Sequence, residues 1–440
     1  MTTVEAPHNL YQQRFDRVFD PSSNGQPAWL RRVRREAIAR FADEGFPTTR
    51  DEDWRFTPVA RHVERGYDPA GDVLAPAAEA IAPCLLEGVD TIRIVLVNGR
   101  LAPGLSRHMA DTDRVRIGGL ASTAAAASAR IEASLGRAIR SPQRGFTALN
   151  TAFLEDGAVV LVGRGTRVDR PIEILYFSTG PRPFSAHPRT LIALEEGAEA
   201  TVIETFAGDA GAVYWTNAVT EAIVGPNARL NHYRVQRESL RAFHLSSTHF
   251  LLDRDARSAS HNVTLGGGFV RNDINAALDG EGIECTVNGL YLGEGTQFID
   301  NHTAIDHIRP HCESHEVFKG VLDGRSQGVF NGKIFVRQDA QKTDAKQTNQ
   351  VLLLSDEATI NTKPQLEIFA DDVKCTHGAT VGQLDQDGLF YLRTRGIGAR
   401  EARALLVHAF AEDIIERIEV APLRAALDEL LLRRLPVPAE

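Results

Sequence analysis

From Ala158 to Asp385 apolar and polar residues alternate over short runs, with almost no helical periodicity between them. Period-two alternation rich in Val, Ile, Leu and Thr predicts half-buried strands. A turn phrase recurs just before the strands: Glu196-Gly197-Ala198, Pro226-Asn227-Ala228, Arg254-Asp255-Ala256, Glu281-Gly282-Ile283, Glu294-Gly295-Thr296, Asp356-Glu357-Ala358 and Asp371-Asp372-Val373. The first four phrases end at 198, 228, 256 and 283, steps of 30, 28 and 27 residues, and later neighbours lie about half as far apart. A regular return of this kind is what the coils of a solenoid produce. A single sandwich rarely needs more than about 200 residues of strand, whereas a stacked β-helix grows by adding coils. The pattern therefore predicts a mainly β protein built on a parallel β-helix, with an end whose open strand edges must be covered or paired.

The two ends of the chain read differently. Up to about Ser23 the sequence is polar, with Leu10, Phe15 and Phe19 able to dock one helical turn. Pro27 opens a helix whose stripe is Leu30, Val33, Ala37 and Phe41 and whose stop is Gly45 with Pro47. Its arginines, Arg31, Arg32, Arg34, Arg35 and Arg40, mostly fall off that stripe and read as a solvated face. Asp51–Pro58 leads two aromatic side chains into a docking turn, and the Ala-, Gly- and Pro-rich stretch from Gly66 to Pro83 reads as a connector. A strand at Thr91–Val97 runs into Asn98-Gly99, a hairpin signal. Helices are expected over Ala121–Ala138 and Phe146–Leu154. After Gly388 helical periodicity returns: Ala402, Leu405, Leu406, Ala409, Phe410, Ile414 and Ile418 share a face, and Pro422 begins a second helix with Leu423, Leu427, Leu430 and Leu431. The expected organisation is an N-terminal helical or mixed domain over 1–155, the β-helix over 156–385 and a C-terminal helical domain over 386–440.

Composition narrows the function. With 440 residues, 43% apolar and 24% charged, the chain can bury a large core. Net charge is −9, which makes a general phosphate binder, and hence nucleic acid as the main partner, a poor expectation. No apolar run is long enough to span a bilayer, and the start, Met1-Thr2-Thr3-Val4-Glu5, is polar, so a cytoplasmic protein without membrane contact is expected. Four scattered cysteines, Cys84, Cys285, Cys312 and Cys375, fit reduced thiols better than a disulfide framework.

Candidate chemistry concentrates at two places. In Gln350–Asp385 the last predicted strand carries Cys375 and His377, two residues apart and so on one face. Thiolate and imidazole both ligate zinc or iron, but two ligands are half a site, and a buried thiol beside a surface histidine is the plain alternative. Pro364 limits its own segment, since proline cannot donate to a central ladder. In Asp300–His315, His302, His307, His311, His315 and Cys312 could bind metal, as a storage module would; alternation along a strand argues that they cannot all share a face. Asp300, Asp306, Lys333 and Arg337 are candidates for a β-helix enzyme cleaving acidic polysaccharide, although no groove can be pointed to. No phosphate loop, dinucleotide fingerprint, Gly-x-Ser-x-Gly or Cys-x-x-Cys occurs, so nucleotide chemistry must come from another chain.

The stretch Asn361–Gly382, NTKPQLEIFADDVKCTHGATVG, resembles the SufB/SufD family of iron–sulfur cluster assembly proteins, and its Cys-x-His-Gly-Ala-Thr phrase favours the SufD branch. Phe390-Tyr391-Leu392-Arg393-Thr394-Arg395-Gly396-Ile397 continues the likeness, as do Asp300-Asn301-His302-Thr303, Pro310-His311-Cys312, Phe318–Leu322, Gly332-Lys333-Ile334 and, near the start, Glu52–Thr57. The resemblance implies a right-handed parallel β-helix between an α-rich N-terminal domain and a C-terminal helical domain. It also implies a non-enzymatic scaffold in a complex with SufB, joined through a β-helix edge, and with the ATPase SufC, docked on the C-terminal helices. Isolated chains could pair as homodimers, and apo iron–sulfur proteins could receive the product. The nascent cluster would be transient and shared with SufB, with His377 the first and Cys375 the second candidate ligand from this chain, which has no nucleotide site of its own.

Overall fold

The computed structural model describes residues 7–19, 27–71, 75–140 and 145–434. The polar start as far as residue 6, the stretch around Ser23, part of the expected connector and the last six residues lie outside them.

Two parallel sheets face one another, and the chain crosses from the first to the second eight times. The first sheet stacks Gly157–Val162, Arg189–Leu194, Tyr214–Val224, Phe243–Leu252, Phe269–Leu278, Phe298–His307, Gln327–Val336 and Thr359–Ile368. The second stacks Ile172–Ser178, Glu199–Gly208, Arg229–Gln236, Arg257–Thr264, Glu284–Gly293, Glu313–Leu322, Asp344–Leu353 and Lys374–Gly382. Register is unbroken from coil to coil, so Glu284, Glu313, Asp344 and Lys374 stand in one column. This is the parallel β-helix that the alternating pattern predicts. The turn phrases recur because the corner needs a left-handed residue: Gly197, Asn227, Asp255, Gly282 and Gly295 all have φ between 55° and 70°. Glycine, asparagine and aspartate tolerate that conformation best.

Inward-facing Val202, Ile274, Ile299, Phe318 and Phe330 fill the space between the sheets. The outer face of the first sheet is covered by the N-terminal helices, through an aromatic cluster of Tyr11, Phe15, Phe41, Trp54, Trp215 and Phe243. The outer face of the second sheet is covered by the C-terminal helices Ala399–Ile415 and Ala421–Arg434, whose Val407, Ile414, Leu423 and Leu427 pack on Tyr233, Val263, Leu290 and Val321. The stripe expected on the first of these helices holds at Ala402, Ile414 and Ile418 but is broadened and shifted between them: Leu405 is exposed, and Val407, Ala411 and Ile415 are also buried. That helix is apolar on more than one side, so packing rather than periodicity selects the buried face. Arg34 also departs from expectation. It is buried, its Nε donates to the Ala152 carbonyl at 3.0 Å and its guanidinium lies 3.3 Å from the centre of the Phe19 ring.

The two ends of the stack are unlike. At the first, Ile92–Val97 pairs in parallel with Ile172–Ser178, and Val115–Gly119 pairs antiparallel with Gly157–Val162, so both sheets continue beyond the coils. Asn98 and Gly99, with φ of 51° and 86°, make the expected hairpin to Arg100–Leu101. At the other end, Thr359–Ile368 and Lys374–Gly382 are the terminal strands of their sheets. Pro364 does not stop its strand, which runs through it, and it sits in an edge strand where proline is tolerated. Among the described residues no helix is long and apolar enough to cross a membrane.

Candidate functional site at the open end of the stack

Among the described residues, the last coil is where strands nine and ten residues long lack a neighbour on one side. Most of Lys374–Gly382 is exposed and Thr359–Ile368 is half-buried, unlike the strands one coil earlier. Large apolar side chains stand in solvent at this rim: Ile368, Phe369 and Val381 are 40%, 58% and 45% exposed. Long unpaired edges with apolar decoration are templates for another chain.

Cys375 and His377 lie on this rim, both on the face that points between the sheets. Cys375 continues the column Cys285, Ser314, Ala345, and His377 continues Val287, Glu316, Gln347. The fold treats them differently. Cys375 is half-buried against Ile334, Val336, Ala345 and Ala370, and burial pushes its thiol above the ordinary range. A metal must therefore displace a proton to bind it. His377 is exposed, and among the described residues its ring has no hydrogen-bond partner. It is the more available ligand of the two.

The histidine-rich span behind this rim is not gathered into one site. His302 faces outward under the Glu52–Trp54 turn, its Nε2 3.1 Å from Asp300 and 3.3 Å from the Arg271 guanidinium. His307 points inward, is fully buried and lies 2.9 Å from the Ser314 hydroxyl. His311 sits in a turn with φ of 60°, and Cys312 is buried in the core with its thiol donating to the Gly280 carbonyl. His315 lies on the second sheet, 4.0 Å from Glu313. Among the described residues no three His, Cys, Asp or Glu side chains are placed to hold a metal together. His302 and His307 are structural, held by Asp300, Arg271 and Ser314. The carboxylates and bases considered for sugar cleavage are likewise engaged: Asp300 is buried beneath Thr57 and Arg271, Asp306 pairs with Arg337 at 2.7 Å, and Lys333 pairs with Glu367 at 2.5 Å. Burial would raise the Asp300 carboxyl, but His302 and Arg271 together hold it below the ordinary range.

Gln347 and Glu316 line the interior directly beneath His377, with Gln347 Nε2 donating to Glu316 Oε2 at 2.8 Å. Glu316 is buried with no basic partner among the described residues, and burial pushes its carboxyl up to about 7. The signal was the coil repeat itself: 316, 347 and 377 are 31 and 30 residues apart, about one coil each.

Residues 176–410 match a family profile described as "SUF system FeS cluster assembly, SufBD core domain", and residues 3–174 match "SufBD protein N-terminal region". An iron–sulfur cluster assembly SufBD family protein of Synechocystis is 34% identical over 394 residues, covering 87% of this chain and 86% of that protein. The iron–sulfur cluster assembly protein SufD of Escherichia coli is 33% identical over 397 residues, covering 89% of this chain and 90% of its own.

Proposed function

Since the chain belongs to the SufBD family of iron–sulfur cluster assembly proteins, we propose that it is a non-catalytic scaffold subunit that builds and hands on a cluster together with SufB and the ATPase SufC in the cytoplasm. The observation that carries this reading is the bare last coil. It presents unpaired strands, exposed apolar side chains and a Cys375/His377 pair on one rim. A homologous β-helix chain, SufB, abutting that rim would bury the apolar side chains and supply the ligands that two side chains cannot. The cluster is cargo, held between the chains with His377 as first ligand from this side and Cys375 as second, before transfer to an apo-protein.

SufC would dock on the C-terminal helices. The helix Gln386–Thr394 has no buried residue, and its Phe390 and Tyr391 stand 69% and 56% exposed. ATP binding belongs to that partner, since this sequence carries no phosphate loop. Movement of one β-helix against the other on ATP binding would open and close the shared site.

Co-expression with SufB and SufC, followed by copurification and light scattering, tests the reading. A stable assembly of the three chains is expected, with a homodimer formed only when SufB is left out. A chain that stays monomeric and ignores both partners contradicts it.

A further inference from the structure

Interior polar groups at this end of the stack are arranged in a way that packing alone does not require. In the column beneath His377, the Gln347 side-chain amide spends its Nε2 on Glu316 Oε2, 2.8 Å away toward the older coils. Its Oε1 is buried and has no partner among the described residues. The amide packs closely against Gly332 of the facing sheet. A Cβ at Gly332 would come within 2.3 Å of Gln347 Nε2 and 2.8 Å of Oε1, so only glycine leaves this seat. With the nitrogen given to Glu316, the oxygen is left without a donor, and the next coil in register is the last one. Two residues stand there in register, Pro364 beyond Gly332 and His377 beyond Gln347. Proline has no N–H to offer, in backbone or side chain. The imidazole does, and its ring is otherwise without a partner among the described residues.

We propose that Gln347, braced by Glu316, is the positioning residue for His377: the Gln347 amide oxygen accepts one imidazole N–H, which leaves the other ring nitrogen unprotonated and turned to the rim. The two residues are neighbours in register one coil apart, so a ring turned toward Gln347 would satisfy a buried acceptor. A histidine that ligates metal characteristically gives its other N–H to a carbonyl or carboxylate, which fixes both tautomer and aim. Here the acceptor is a side-chain amide whose own orientation is fixed by a carboxyl one coil deeper. The inference rests on the reading of His377 as a ligand, but it concerns the ring before any cluster is present.

Long-range proton–nitrogen spectra of the full-length chain, carrying ring-labelled histidine and no cluster, test it across pH 6 to 9. The His377 signals are assigned by their loss in His377→Ala. The wild-type ring is expected in a single tautomer, and Gln347→Met, similar in length but without the amide, is expected to show both. A thermal melt checks that the variant folds, and Glu316→Ala, which frees the amide to swing, is expected to give the same mixing if Gln347→Met does not fold. Equal tautomer populations in wild type and in a folded variant overturn the proposal. Should the wild-type ring be unheld while His377→Ala still loses cluster in the assembled complex, the ligand reading stands and Gln347 has no part in it.

Discussion

Burial holds the Cys375 thiol above its ordinary range while the His377 ring, on the same strand face, stands in solvent. Alkylation of the native chain followed by mass spectrometry is expected to modify Cys375 more slowly than a free thiol at pH 8, yet faster than Cys285 and Cys312, which are fully enclosed. Burial pushes Cys285 up to about 12, so its thiolate is scarce at that pH. Equal rates at all three would remove the distinction between a rim thiol and core thiols. Glu316 makes a second residue-scale prediction. Its carboxyl holds its proton up to about pH 7 in the folded chain, whereas the unfolded chain releases it near 4.5. The folded state therefore binds more protons between those values, and stability falls as pH rises through that window, by roughly 3 kcal/mol in full. Glu316→Gln removes this slope. Urea unfolding should find the variant more stable than wild type at pH 8 and no different near pH 4.5; matching curves at pH 8 would contradict the assignment.

At the level of elements, the corners and the hairpin were readable because left-handed backbone demands a short list of residues, and Gly197, Asn227, Asp255 and Asn98-Gly99 belong to it. The strands were readable because alternation survives wherever one face meets a core. The buried face of the helix Ala399–Ile415 was not, since Leu405 and Val407 are equally apolar and only the partner sheet distinguishes them. The neighbours of His377 were missed for a related reason: Glu316 and Gln347 become adjacent only when one coil of chain is counted off for each step. The terminal strand itself is expected to tolerate change in the free subunit. Val381 is 45% exposed, so Val381→Asp should shift stability by no more than about 0.5 kcal/mol. The same change should abolish binding of the β-helix partner in a pull-down. Leu427→Ala, beneath the C-terminal helices, should behave in the opposite way in a denaturant melt, costing about 2–5 kcal/mol while leaving the rim intact. Partner binding undisturbed by Val381→Asp would place the interface elsewhere.

Across the whole molecule the asymmetry between a finished and an unfinished end organises the account, and that asymmetry was foreseen in kind but not in detail. Open edges follow from any solenoid, whereas the way Ile92–Val97 and Val115–Gly119 extend the first end depends on contacts across long stretches of chain. The interior also sets how the fold responds to acid. Burial lowers His187 and His249 to about 3 and His261 and His307 to about 4, so these rings stay neutral inside. The unfolded chain takes up those protons below about 6.5, so stability present above that pH is lost as it falls toward 4. A steep drop of the melting temperature over that range is expected; a flat profile would contradict the neutral interior. The most direct test of the central claim is the iron and sulfide content of the complex with SufB and SufC, reconstituted without air, with wild-type chain and with the double variant Cys375→Ala, His377→Ala. A complex of unchanged size is expected, with a cluster yield that falls sharply in the double variant. Full cluster yield in that variant would show that this rim contributes no ligand.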